Sequence, residues 1–270
     1  MKTKEIEEKY NITNRTIIKW VKEGKLTLPA TWKKGLPYDI DEQQLLQIKK
    51  YYWNDKAHQS YQIGWNRDIF KNIDTPEKAY WLGFINADGC LHFTSQTMKQ
   101  GHLSIDISGE DSKHLEKFAN FIEAQQPIIQ YTKHPDTGNI LCHIQISCSS
   151  TLHDLYNLGI APRKSGKEQW IDTAYPKDFI RGYIDGDGYI RQDYSGIGCV
   201  GGYDILNKIQ QYFTNEFKLK PHKIQKHEKI FRIEYRSKKD IKIIAEQLWY
   251  SGCISLNRKQ LLIDEIKKLS

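Results

Sequence analysis

The alternation of apolar and polar positions changes period along this chain, and the changes come twice in the same order. Trp81-Leu82-Gly83-Phe84-Ile85-Asn86-Ala87-Asp88-Gly89 reads as an apolar helical segment. Thr75 is placed to cap that helix, with Pro76 at its first position and Glu77 in its first turn. Period-two alternation follows. Leu103, Ile105 and Ile107 point one way, and His102, Ser104, Asp106 and Ser108 the other. Cys142, Ile144 and Ile146 oppose His143, Gln145 and Ser147. The pattern predicts strands over 91–95 and 103–107, a helix over 113–124, a hairpin of 128–134 with 141–148 around Asp136-Thr137-Gly138, and a helix over 152–158. The plan then recurs. Ile180-Arg181-Gly182-Tyr183-Ile184-Asp185-Gly186-Asp187-Gly188 is the second apolar helix. Strands over 189–192 and 197–200, a helix over 203–216, a hairpin over 222–236 and a helix over 239–250 follow, with a last helix over 258–269. The expected fold is α+β: two pseudo-symmetric αββαββα halves with antiparallel sheets, over 75–165 and 166–270.

Small residues stand four apart in both apolar helices, Gly83 with Ala87 and Gly182 with Gly186. Residues so spaced share one helix face, and small ones let a second helix approach to backbone contact. If the two helices pack together, Asp88 and Asp187 meet at their C-termini. An acid is unfavourable at that end of a helix dipole, and two acids repel. A divalent cation resolves the conflict, and Mg²⁺ is the hard ion that prefers carboxylate oxygens.

Both helices resemble the LAGLIDADG motif of the homing endonucleases. The second departs at its alanine positions, Arg181 and Gly186, and the first has Asn86 where the motif has its earlier Asp. The resemblance implies that Asp88 and Asp187 bind metal, with backbone near Ala87 and Gly186, and that two motifs in one chain make a single-chain pseudo-dimer acting as a monomer. A second duplicated element ends each half: Leu158-Gly159-Ile160 before Ala161-Pro162-Arg163-Lys164, and Ser251-Gly252-Cys253-Ile254 before Leu256-Asn257-Arg258-Lys259. Lys164 and Lys259 resemble the family's basic residue near each active site, with Lys167 as the rival of Lys164. Such a cation can stabilise charge developing on phosphorus oxygens, help to activate water, or simply contact a phosphate.

The resemblance covers roughly residues 75–265 and implies saddle-forming sheets on a long double-stranded DNA target. The polar faces suit that role. A two-stranded ribbon fits the major groove, where Gln, Arg, Ser and His read base edges. On the first sheet the candidates are His102, Ser104, Asp106, His143, Gln145 and Ser147. On the second they are Arg191, Lys223, Gln225, Arg232, Glu234 and Arg236, with Phe231, Ile233 and Tyr235 facing the core.

Residues 1–53 read as a separate module. Thr3 and Thr13 are placed to cap two short helices, and Gly24 to stop the second. Ile17, Ile18 and Val21 give the second helix an apolar stripe, while Asn14, Arg15, Thr16 and Lys19 suit a major groove. This is a helix-turn-helix pattern. Tyr38-Asp39-Ile40-Asp41 and the Leu45-Leu46-Ile48 stretch resemble the wing and third helix of excisionase-like domains. The module carries eleven basic against seven acidic side chains, more than half of the formal +7 of the chain. Residues 54–74 are polar and aromatic with weak periodicity, as in a linker.

Composition adds limits. Of the 270 residues 39% are hydrophobic, enough for a substantial core. Five scattered cysteines form no C-x-x-C pair and no zinc spacing, which fits a reducing cytoplasm and does not distinguish a phage, bacterial or organellar host. The charged first ten residues do not read as a secretory signal, and no apolar run is long enough to span a membrane.

What the LAGLIDADG resemblance implies is a homing endonuclease that makes Mg²⁺-dependent double-strand breaks with short 3′ overhangs, Ca²⁺ replacing Mg²⁺ without cleavage. An RNA-splicing maturase on the same fold does not require both acids. A non-catalytic DNA-binding regulator predicts binding without cutting.

Overall fold

The computed structural model describes residues 64–94, 100–124, 129–133 and 137–269, together with Arg15, Lys19, Trp20 and Lys22. Those four are helical; Arg15, Lys19 and Lys22 are exposed and Trp20 is buried. The rest of the helix-turn-helix expectation, including Asn14 and Thr16, lies outside the described residues, as does the linker before Gly64. The chain divides into two units, Met1–Gln62 and Ile63–Ser270. The second carries everything that follows.

Its elements come in the order αββαββα, twice, with one helix added. The first set is α1 (Pro76–Asp88), β1 (Gly89–Phe93), β2 (Gly101–Ser108), α2 (Ser112–Phe121), β3 (Ile129–Lys133), β4 (Ile140–Ile146) and α3 (Ser149–Leu158). The second is α4 (Pro176–Asp187), β5 (Gly188–Ile190), β6 (Ile197–Gly201), α5 (Tyr203–Phe217), β7 (Gln225–His227), β8 (Ile230–Tyr235) and α6 (Lys238–Leu248), followed by α7 (Asn257–Lys268). Each half builds one antiparallel sheet, ordered β1-β2-β4-β3 in the first and β5-β6-β8-β7 in the second. The duplicated pattern of the sequence is thus a duplicated topology.

Local chemistry explains most boundaries. Thr75 Oγ1 accepts from the Lys78 amide at 3.2 Å, and Pro76 opens α1. α3 ends at Gly159 with φ +116°, and the matching Gly252 has φ +79°. Both conformations are left-handed, which explains a glycine at the same place in each duplicated turn. β5 stops at Ile190, two residues before the expected end, because Asp193 Oδ1 takes the Ser195 amide (3.1 Å) and hydroxyl (2.6 Å) and closes a turn. Strand pairing in the last hairpin starts at Gln225 rather than 222. The His222 amide goes instead to Gln210 Oε1 at 2.5 Å. α6 ends at Leu248 rather than 250, where Arg181 Nη1 takes the Leu248 carbonyl at 2.8 Å.

The apolar faces of both sheets pack on the helices, and α1 and α4 pack on each other at the centre. Tyr80, Trp81, Leu82, Phe84, Ile85, Phe179, Ile180, Tyr183 and Ile184 are all buried there. Glycine decides how close the two helices come. A Cβ on Gly83 would stand 2.0 Å from the Phe179 carbonyl oxygen, and one on Gly182 would stand 2.0 Å from the Tyr80 oxygen. Only hydrogen fits at those two positions, so the backbones touch.

Candidate functional site

Backbone contact between α1 and α4 brings their C-terminal ends together. Asp88 is the last residue of α1 and Asp187 the last of α4. Each helix passes straight into a strand at the following glycine, without an intervening turn. Ala87 packs on Gly186, where an added Cβ would stand 2.4 Å from the Ala87 Cβ and 3.2 Å from Asp88 Oδ2. The Asp88 carboxylate therefore lies over the other half's helix, one residue before Asp187.

The acids feel each other. Burial pushes the Asp187 carboxyl up to about 7, assisted by the negative charges of Asp88 and Glu168 and opposed by Lys164 and Lys259. Asp88 is also raised, by burial first, with Lys259 its strongest stabilising cation and Lys164 next. A pair of half-buried carboxylates that cannot both ionise freely is a place where a divalent cation binds favourably. Among the described residues no three His, Cys, Asp or Glu side chains form a metal-holding group. The donors to hand are the two carboxylates and nearby backbone carbonyls.

The lysines are not surface cations. Lys164 is 9% exposed and Lys259 is 2% exposed. Lys164 Nζ donates to the Ala87 carbonyl at 2.8 Å and to that of Gly89. Lys259 Nζ donates to the carbonyls of Ile184 (2.6 Å), Asp185 (2.7 Å) and Gly188 (2.6 Å), with that of Gly186 at 3.5 Å. Each lysine closes the C-terminal end of its own half's motif helix, where carbonyls lack helical partners and positive charge is favoured. Burial pulls Lys259 down to about 8 and also lowers Lys164. Of the backbone near Ala87 and Gly186 expected at a metal, the Ala87 carbonyl is engaged by Lys164, whereas that of Gly186 is only weakly engaged by Lys259. Lys167, the alternative cation, is exposed.

The two motifs differ at the earlier acid position. Asn86 Nδ2 donates to the Gln169 carbonyl at 3.0 Å. Asp185 accepts from the Leu256 amide and from Tyr80 Oη, both at 2.8 Å. Both side chains tie the motif helix to the segment around the lysine. The Tyr80 hydroxyl spends its one proton on Asp185, so it accepts from His114 Nε2 at 3.0 Å. Burial first, then nearby cations, pulls His114 down to about 3 and keeps it neutral. Arg181, at an alanine position of the motif, is a buried tie as well. It donates to the Ile254 and Leu248 carbonyls and to Asp178, with the Tyr80 and Tyr250 rings beside it.

The polar sheet faces run on from the acids. On the first sheet, register puts His92 beside His102, Ser104 between Cys90 and Gln145, and His143 between Asp106 and Gln130. The His92 and His102 rings are 4.9 Å apart, and burial with His92 nearby lowers His102. Ser147 lies just beyond β4. On the second sheet Lys223, Gln225, Arg232, Glu234 and Arg236 line one open cavity of about 460 Å³. Arg191 joins them through Glu234, with Nε 2.6 Å from Oε1.

No family model matches the chain, and no curated protein matches its sequence. Solved structures do resemble it, and several are LAGLIDADG homing endonucleases. A mesophilic variant of the homing endonuclease I-DmoI aligns over 74% of this chain and 99% of its own, at 12% identity and TM-score 0.49. The LAGLIDADG meganuclease I-AabMI, bound to uncleaved DNA, aligns over 72% and 89%, at 10% identity and TM-score 0.46. Full-length DUF199/WhiA from Thermatoga maritima aligns over 76% and 66%, at 18% identity and TM-score 0.46.

Two residues at these sites have no local sequence signature. Glu168 is 5% exposed and accepts from the Gly166 amide (2.9 Å) and the Gly202 amide (2.6 Å), beside the acids. Its second partner lies 34 residues away, and its counterpart four residues after Lys259 is Ile263. His222 lines the second-sheet cavity from a segment that reads as strand in sequence but is not paired.

Proposed function

We propose that this chain is a metal-dependent, site-specific DNA endonuclease of the LAGLIDADG type. The observation that carries the reading is the convergence of Asp88 and Asp187 at the ends of two helices in backbone contact, each helix running directly into the first strand of a sheet with one polar face. The two carboxylates and the Gly186 carbonyl would hold Mg²⁺. A bound Mg²⁺ supplies an activated water and charge stabilisation at the attacked phosphorus and the leaving 3′ oxygen. The chain's own part is placement. Gly83 and Gly182 set the distance between the acids, Lys164 and Lys259 fix the helix ends beneath them, and the sheets hold the duplex. Two acids serving two strands would give double-strand breaks, with the short 3′ overhangs that the family resemblance implies. Residues 1–53 would add flanking contacts and raise the effective concentration on DNA.

The test is digestion of plasmid libraries by the full chain with Mg²⁺, with sequencing of the ends. Recurrent double-strand ends at one long site support the reading. Binding without cutting in Mg²⁺ supports a non-catalytic DNA-binding protein instead. The engagement of both lysines by backbone carbonyls favours that second reading, because it withdraws them from phosphate.

A further inference from the structure

The two sheets offer DNA different chemistry. Among the described strand residues, no Arg or Lys stands on the polar face of the first sheet; its members are His, Ser, Asp, Gln, Thr and Cys apart from Leu141. The second sheet carries a compact cationic cluster built around one acid. Glu234 lies in mid-β8 with its side chain 10% exposed. Its Oε1 accepts from Arg191 Nε at 2.6 Å, and its Oε2 from Arg236 Nε at 2.8 Å. The floor under the cluster is glycine: a Cβ on Gly196 would stand 3.1 Å from both Arg191 Cδ and Glu234 Oε1. Arg232, two residues back on the same face, is paired in register with Gln225 and reaches its Oε1 at 3.4 Å.

The geometry differs from that of a phosphate clamp. An acid between two arginines cancels half their charge and would repel a phosphate approaching it. It does fix their orientation. Each guanidinium is held through Nε, which leaves its two terminal amino groups to form a fork. An arginine fork matches O6 and N7 of guanine in the major groove. An arginine already fixed by a carboxylate loses little freedom on binding.

Resting on the DNA-binding reading above, we propose that Glu234 sets sequence specificity, holding Arg191 and Arg236 as two guanine readers, so that the half-site over the second sheet depends on guanine at two positions and the other half-site does not. Glu234 is a positioning residue here, and the arginines make the contact.

The test is selection of randomised duplex DNA by the full chain in Ca²⁺, followed by sequencing of the bound pool. The expected pool has two guanine-dependent positions on one side of the site. Glu234→Gln should relax both together, by roughly 5- to 150-fold each. Arg191→Lys should relax one and Arg236→Lys the other, and these two variants carry the test if Glu234→Gln does not fold. Salt slopes of non-specific binding should stay within one contact of the wild type. Guanine preference unchanged in all three variants overturns the proposal. So does a pool that is bound without guanine dependence, which leaves DNA binding standing. Failure to bind any duplex overturns both.

Discussion

Adding one methyl group at Gly182 tests whether α1 and α4 touch as described. Two effects oppose each other. Alanine is the better helix former, by about 1 kcal/mol. Against that, the new Cβ would stand 2.0 Å from the Tyr80 oxygen and 2.9 Å from both the Tyr80 carbon and the Phe84 nitrogen. All three are backbone atoms, so no side chain can turn aside, and the helices must separate by about an ångström at the centre of the core. Overpacking of a tight core costs about 1–3 kcal/mol and sometimes more, and rigid walls on both sides place this case at the upper end. The clash wins, leaving a net loss of about 2 kcal/mol. For a unit of this size that lowers Tm by about 4–8 °C. Separation also moves Asp88 away from Asp187, so cleavage should fall further than stability alone accounts for. Thermal denaturation of Gly182→Ala beside wild type gives the first number, and single-turnover cleavage below both melting points gives the second. An unchanged or raised Tm would refute backbone contact, and with it the pairing of the acids.

Lys259→Met should lower Tm while leaving the salt dependence of DNA binding unchanged, because the ammonium is spent on the Ile184, Asp185 and Gly188 carbonyls; a slope reduced by about one would make it a phosphate anchor. His114 has a folded pKa near 3 against an ordinary 6.5, so the unfolded chain takes up the proton first and stability drops as pH falls through 6.5 toward 3. Between pH 7 and 5 this amounts to about 2 kcal/mol, and chemical denaturation of His114→Phe at both pH values should show that part of the loss gone. Deleting residues 1–53 should leave a folded, metal-dependent nuclease with a footprint shortened at one end, and log K should vary less steeply with log salt, by about 0.9 per lost phosphate contact. An unchanged footprint would mean that the module does not touch DNA.

Much of this is legible in sequence because the chain says it twice. The period-two runs around Ile105, Ile144 and Ile233 fix which sheet face is buried, and the register agrees. Gly83 and Gly182 announce a close helix pair because nothing else in an apolar helix calls for glycine. Strand ends are less legible, since they depend on single side chains such as Asp193 and Gln210 capturing an amide. The lysines are the instructive case. Their positions are plain from the duplication, but sequence cannot tell an ammonium aimed at phosphate from one folded back onto carbonyls, because the difference lies in partners 71 to 77 residues away. Glu168 is invisible for the same reason. The Arg181 substitution in the second motif looks like a defect in sequence, yet in the fold it holds three segments together.

The most direct measurement is cleavage of the selected target by wild type, Asp88→Asn and Asp187→Asn in Mg²⁺, with binding measured in parallel in Ca²⁺. Wild type should make double-strand breaks, and each variant should bind the site with near wild-type affinity and fail to cut both strands. Cleavage by either variant at the wild-type rate would contradict the account.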